Sequence, residues 1–458
     1  MFKTYINKAV LTFGMIIAIA GFLAVTTDIP SHWLVLENSS AGKVLFAFSL
    51  IFFIFHLAVF IWRIVLFLQY KPAPVCPDHE LPSCCVIVPA YNEGRQVFDT
   101  IESIVRSNYP ADKMSIIGID DGSADNTWFW LKKAEAAYPG RIQLFRQPVN
   151  RGKRHALYRG FENGKGEVFV TIDSDSNVTP DTLRHLVSPF VLDARVGAVA
   201  GNVRILNRKD GIIPKMLEVA FAFSFDFLRA GQSVINAVLC TPGALSAYRR
   251  DIVLKVLSEW VDQKFCGRAA NIGEDRAMTN LILRNGYHVR YQKEAIVYTT
   301  SPTTTPQLWK MLLRWARSNV RETLVISRFA FGRFRKDGAV GLRINVLVGL
   351  MNMTVGQLMR LFGVIAMICI PMVVAPKLIV GAAVAACAPG LFYAIRHRSE
   401  QGIWAIPYSY FWMSCLTWIS LYALLTPHKT GWMTRDIDAP VIAWSPGSAN
   451  TPKLTPLS

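Results

Sequence analysis

The chain has 458 residues, of which 52% are hydrophobic and only 18% charged, with a formal net charge of +17 and a mean hydropathy of +0.29. That much apolar surface excludes an ordinary soluble enzyme and points to a membrane protein of two or three units. The positive excess fits residues that flank membrane spans, meet anionic membrane lipid and receive an anionic substrate; no nucleic-acid-binding motif accompanies it, so no nucleic acid is expected as a partner.

In chain order, residues 9–26 and 45–69 are apolar runs near the length needed to cross a ~30 Å hydrocarbon layer. No small-residue cleavage site closes the first, and a second span follows, so an uncleaved anchor is expected rather than a signal peptide. From residue 71 to about 330 the texture alternates. The stretches "CCVIVPAYNE", "MSIIGIDDGS", "IQLFRQPVN" and "VFVTIDSDSN" are Val- and Ile-rich runs ending in polar residues, separated by helical patterns. This βαβ rhythm predicts a mostly parallel sheet covered on both faces, with ligands beyond the carboxyl ends of its strands. Glu93, Asp120, Asp121, Asp173 and Asp175 all fall at such ends.

Three more spans are expected at 355–374, 378–395 and 404–425. With the α/β unit in the cytosol, the second returns the chain inside and puts the basic "RHRSEQG" there, as the positive-inside rule asks. The basic "TPHKTGWMTR" after the third should also lie inside, so 404–425 is expected to enter and fold back, with one plain span and its tail outside as the alternative. Pro407, Ser409, Ser414 and Thr417 fit such a broken hairpin. The expected organisation is two spans in 1–72, the α/β unit in 73–305, amphipathic interface helices in 306–340, C-terminal spans in 341–427 and a cytosolic tail in 428–458. The eight cysteines show no metal-ligand spacing and are expected to be free thiols.

The chemistry-bearing motifs follow from this frame. "TIDSDS" sets Asp173 and Asp175 two apart at a strand end, on one side, where they can share a Mg²⁺ or Mn²⁺ that keeps waters and takes substrate phosphates as further ligands. At "DDGSADNT" and "PAYNEG", carboxylates could accept hydrogen bonds from a base and its ribose while Tyr91 lies against the base. "NRGKRHAL" offers Lys153 and Arg154 at a helix start, suited to a diphosphate. In "IGEDRAMTN", Glu274 and Asp275 open a helix, where a capping role is the simplest reading. "LLRWARSNVRE" supplies Arg314, Trp315, Arg317 and Arg321 on an amphipathic helix, either snorkelling to lipid or offering a phosphate fork beside a sugar-stacking plate.

Taken in order, "VIVPAYNE", "DDGS", "NRGKRHAL", "TIDSDS", "TPGALSAYRR", "GEDRAMTN", "RWARSNVRE" and "KTGWMTR" resemble the membrane-embedded processive family-2 glycosyltransferases. The motif text is closest to hyaluronan synthases and rhizobial chitin-oligosaccharide synthases, with cellulose synthase more distant. The resemblance implies a cytosolic GT-A-type α/β domain fused to transmembrane and interface helices in the plasma membrane. It implies an inverting enzyme that polymerises sugar from UDP-sugar donors, UDP-GlcNAc alone or together with UDP-GlcA, and moves the growing polysaccharide across the membrane. A poly-N-acetylglucosamine- or cellulose-type synthase, or a non-processive transferase acting on a lipid carrier, is the alternative. Carried over by position, Asp120 or Asp121 reads the uracil with Tyr91 and Glu93, Lys153 joins the nucleotide-sugar contacts, and Asp173 and Asp175 hold nucleotide and metal. Arg314 grips the diphosphate, Trp315 stacks under the acceptor with Glu274 nearby, Trp432 and Arg435 close over the nucleotide, and Asp275 is the general base. Met311 stands where the family has a polar residue, and Met433 where it has a glycine. Asn345, Asn352 and Gln357, with the polar residues of 404–425, are expected either to line a polymer path or to bond between helices.

Overall fold

The computed structural model describes residues 12–16 and 39–429. Most of the expected first span, and the tail with Trp432 and Arg435, lie outside the described residues. The strands are β1 Cys84–Ala90, β2 Met114–Asp120, β3 Ile142–Arg146, β4 Val168–Ile172, β5 Ser176–Val178, β6 Val196–Ile205, β7 Leu245–Arg249, β8 Lys264–Phe265, β9 Arg268–Ala269 and β10 His288–Thr299. Eight of them form one sheet in the order β3-β2-β1-β4-β7-β6-β10-β5, and β8 pairs with β9 apart from it.

β1 to β4 run parallel, because helices cross over between them. The sheet is nevertheless mixed rather than mostly parallel: β7 enters between β4 and β6 antiparallel to both, and β5 lies antiparallel on β10. Every residue of β1, β4 and β6 is buried, so these strands read as unbroken apolar runs. Helix Gln96–Val105 shows the complementary pattern, burying Val97, Ile101 and Ile104 at helical spacing.

Among the described residues three helical stretches are long and apolar enough to cross a membrane: Gly42–Gln69, Val340–Cys369 and Val374–His397. The helix expected at 355–374 begins at Val355, next to helix Val340–Met353 across Thr354, but ends at Cys369, and after Ile370 a new helix starts at Pro371. The expected hairpin at 404–425 is absent. Helix Ala405–Phe411 continues through a π-helical turn, Trp412–Leu416, into helix Thr417–Leu425 with no reversing turn. The hydroxyls that suggested a break bond back to their own helix: Ser414 Oγ donates to the Tyr410 carbonyl at 2.7 Å and Thr417 Oγ1 to that of Met413 at 3.0 Å.

Helix Thr305–Ala330 packs on this last helix through Leu308, Met311, Leu312 and Leu313 against Leu416, Ile419 and Ala423. Asn345 accepts from Arg63 at 3.2 Å, and Asn352 Oδ1 meets His56 Nε2 at 3.0 Å. These amides therefore tie helix Val340–Met353 to helix Ser40–Gln69, the interhelical alternative of the two roles expected of them.

A buried polar knot joins the sheet to the membrane helices. Asp226, on the π-helical segment Phe223–Arg229, accepts from Asn202 at 2.9 Å and Tyr291 at 3.0 Å, pairs with Arg204, and lies 3.2 Å from His397 Nε2 at the end of helix Pro371–His397. Burial opposes the Asp226 charge, but His397, Arg204 and Tyr291 more than offset it and hold the carboxyl down to about 2.

Candidate active site

The carboxyl ends of β1, β2 and β4 and the start of helix Glu274–Arg284 open onto one cavity of about 650 Å³, lined also by Arg314 and Trp315 of helix Thr305–Ala330. Tyr91, Asp121, Lys153, Asp173, Asp175, Glu274 and Asp275 all line it. The structure thus gathers residues that lie more than 200 positions apart in sequence.

Of the two adjacent aspartates, Asp121 faces the cavity. Its carboxylate accepts the backbone N–H of Arg151 at 3.0 Å and of Gly152 at 2.8 Å, and burial pushes its pKa up to about 6. Asp120 lies behind it, fully buried, with Arg146 Nε 3.1 Å from Oδ2 and the Ser123 N–H on Oδ1; burial raises its pKa as well. Glu93 also stands behind the wall and accepts from Ser174 Oγ at 2.9 Å, which braces the turn carrying Asp173 and Asp175.

Asp173 is paired with Lys153, whose ammonium is also 3.5 Å from Glu274. Asp175 accepts from Ser176 Oγ at 3.2 Å and Thr299 Oγ1 at 3.3 Å. Among the described residues no cluster of three His, Cys, Asp or Glu side chains could enclose a metal. The donor set suits a hard cation held by two carboxylates and completed by water and substrate oxygens. Arg154 turns away from the cavity: its guanidinium donates to the Trp260 carbonyl at 2.5 Å and to Gln263 at 3.0 Å.

Asp275 sits on the first turn of its helix, as a capping reading expects, yet the cap position is Gly273, with φ 71 and no side chain to bond. A Cβ at Gly273 would collide with Ser318, so glycine lets helix Thr305–Ala330 come down directly on the turn before Asp275. Asp275 Oδ1 accepts the Arg276 N–H at 2.7 Å and Oδ2 meets Cys240 Sγ at 3.5 Å. Burial and the neighbouring Glu274 raise its pKa, with Arg276 and Lys153 opposing. A carboxylate of raised basicity that lines such a cavity can take a proton from an attacking hydroxyl.

Trp315 is 42% exposed, with its ring 5.8 Å from that of Phe221. Met311, where a polar residue was expected, lines the same wall. Neither Arg317 nor Arg321 reaches toward lipid: Arg317 bonds Thr426 at 3.2 Å and lies over the Tyr422 ring, and fully buried Arg321 binds Glu322 at 3.0 Å and the Ile272 carbonyl. The sequence reading missed Arg146, Cys240 and Arg229, which lies 3.8 Å over Phe225. Each gains meaning only from a partner far away in sequence.

The pattern described as "Glycosyltransferase like family 2" matches residues 82–318. The chain is 31% identical over 286 residues to an N-acetylglucosaminyltransferase of Mesorhizobium japonicum, covering 62% of this chain and 65% of that protein, just under two thirds of its length. It is 31% identical over 244 residues to hyaluronan synthase of Streptococcus pyogenes, covering 52% and 57%. Among solved structures, the mannosyltransferase PcManGT from Pyrobaculum calidifontis, in complex with GDP-Man and Mn²⁺, superposes with a TM-score of 0.50 at 22% identity over 78% of this chain and 96% of that one, a likeness of fold.

Proposed function

The chain belongs to glycosyltransferase family 2, and from that premise we propose that it is a membrane-bound, processive, inverting transferase that builds an N-acetylglucosamine-containing polysaccharide from UDP-sugar donors. The observation that carries this reading is that Asp275, Asp173, Asp175, Arg314 and Trp315 all line one cavity. An in-line displacement needs a base on the acceptor side and positive charge on the leaving diphosphate; Asp275 offers the first, and Arg314 with Lys153, whose ammonium links Asp173 to Glu274, the second. Tyr91 and Asp121 take the uridine, Arg314 and Lys153 the diphosphate, and Trp315 the face of the acceptor sugar. Asp173 and Asp175 would hold a Mg²⁺ or Mn²⁺, which when bound neutralises the leaving diphosphate. PcManGT, with Mn²⁺ in its complex, and the named N-acetylglucosaminyltransferase and hyaluronan synthase support the metal and the sugar class respectively.

Because helix Thr305–Ala330 carries Trp315 while packing on helix Thr417–Leu425, the growing chain is aimed at the membrane helices, and we assign them its exit. The test is the purified protein alone in sealed vesicles, catalytic face outward, given radiolabelled UDP-GlcNAc with and without UDP-GlcA. Long polymer protected in the lumen from added glycosidase is expected. Single-sugar products would overturn processivity, and fully digestible polymer would assign export to another protein.

A pH profile tests the uridine contact. Asp121 must be ionised to accept the uracil N3–H, and burial lifts its pKa to about 6. The affinity for a UDP-sugar, by titration calorimetry, is expected to be level above about pH 7 and to fall about tenfold per unit below pH 6. Asp121→Asn should flatten that slope; an unchanged slope in the variant removes Asp121 from the contact.

A further inference from the structure

Lys153 is the first residue of helix Lys153–Asn163 and follows Gly152, whose φ of 89 turns the chain into the cavity wall. Only 10% of its side chain is exposed, and its ammonium lies between Asp173 and Glu274. The wall is shaped around that ammonium. A Cβ on Gly243 would collide with Lys153 Nζ while standing 3.5 and 3.7 Å from the two Asp173 carboxylate oxygens, so a side chain there would displace the end of the lysine and leave the aspartate in place.

An ammonium and a divalent cation compete for the same carboxylate oxygens, and two cations in contact repel. We propose that in the donor-free enzyme the Lys153 ammonium occupies the place on Asp173 that a divalent cation takes, so that the cation enters only together with a nucleotide diphosphate, whose oxygens draw the ammonium off. The inference rests on the donor and metal reading above and adds an order of loading to it. Lys153 is thereby a placeholder in the empty site and a diphosphate ligand in the filled one. Glu274, 3.5 Å away, keeps the ammonium nearby during the exchange. A site built this way holds no bare cation, and the diphosphate arrives already neutralised.

The experiment measures Mn²⁺ binding to the purified full chain in detergent, by the electron paramagnetic resonance signal of free Mn²⁺, with and without UDP. Wild type should bind Mn²⁺ at least about tenfold more tightly with saturating UDP, and Lys153→Met should bind it without UDP at least about tenfold more tightly than wild type. Gly243→Ala keeps the charge but crowds the ammonium off Asp173, and should shift UDP-free binding in the same direction; it decides the matter should Lys153→Met fail to fold. Arg151→Met removes an exposed charge two residues away and should stay within about twofold of wild type. If both site variants leave UDP-free affinity unchanged while UDP still promotes Mn²⁺ binding in wild type, the placeholder is overturned and the donor reading stands. Equal tightening by Arg151→Met overturns it in favour of a general field effect. No Mn²⁺ binding by wild type even with UDP overturns both.

Discussion

Asp275→Asn is expected to leave UDP affinity within about threefold of wild type and to lower the transfer rate about 10³-fold or more. Asparagine has the same shape and keeps an acceptor for the Arg276 N–H, so the helix start and the contact with Ser318 through Gly273 are undisturbed. What disappears is the only property chemistry asks of the group, the capacity to bind a proton. Burial beside Glu274 raises the pKa of Asp275 and makes it the stronger base, so its loss should cost more than that of a solvated carboxylate. Calorimetric UDP binding and radiolabelled sugar incorporation, measured on the same preparation, separate the two effects. Polymer yield near wild type would falsify the assignment. Glu274→Gln should fall less steeply, since Glu274 is engaged with Lys153 and its backbone carbonyl with Trp260 Nε1 at 2.8 Å.

The second large effect is on stability. Asp226→Ala is expected to destabilise the protein by about 3 kcal/mol, because it takes from the buried Arg204 guanidinium its nearer counter-charge, leaving Glu218 at 3.8 Å, and removes the acceptor of Asn202 and Tyr291. Asp226→Asn, which retains one acceptor, should lie between. The carboxyl titrates at about 2 in the folded chain against ~3.9 unfolded, so its contribution is fully present above about pH 4 and is lost as the pH falls through 2. Thermal unfolding in detergent at neutral pH measures the loss; a midpoint in Asp226→Ala equal to that of wild type would mean that the knot contributes nothing to stability.

The strand-end acids were legible in the sequence because each follows an all-apolar strand, and parallel topology delivers such ends to one edge. Asp173 and Asp175 needed only that rule. Asp275 lies at the start of a helix, where caps and bases read alike. The resemblance singled it out, and the geometry adds burial and a place in the same cavity as Asp173. The knot at Asp226 was illegible, since Arg204, Asp226 and His397 are ordinary residues until a π-helical turn and a membrane helix bring them together. The expected hairpin failed for a local reason: Ser414 and Thr417 looked like polar breaks, but a helix absorbs such hydroxyls on its own carbonyls. Arg317 and Arg321 were legible as cations on an amphipathic face, but not as the groups that fasten it to Thr426 and Ile272.

The order of strands in the sheet sets a schedule for biosynthesis. β4 gains its neighbour β7 only after Arg249 has been made, and β5 has no partner until β10 arrives with residues 297–299. At ribosomal rates of roughly 5–20 residues per second, β5 waits on the order of 10 s. Thr299, whose hydroxyl steadies Asp175, is among the last residues of the sheet to emerge. A nascent chain is therefore already tethered by helix Ser40–Gln69 and exposes an open sheet edge at the bilayer for that interval, and ribosomal stalling between residues 178 and 297 leaves it in that sticky state. Any fragment meant to fold as a catalytic unit has to run past Thr299.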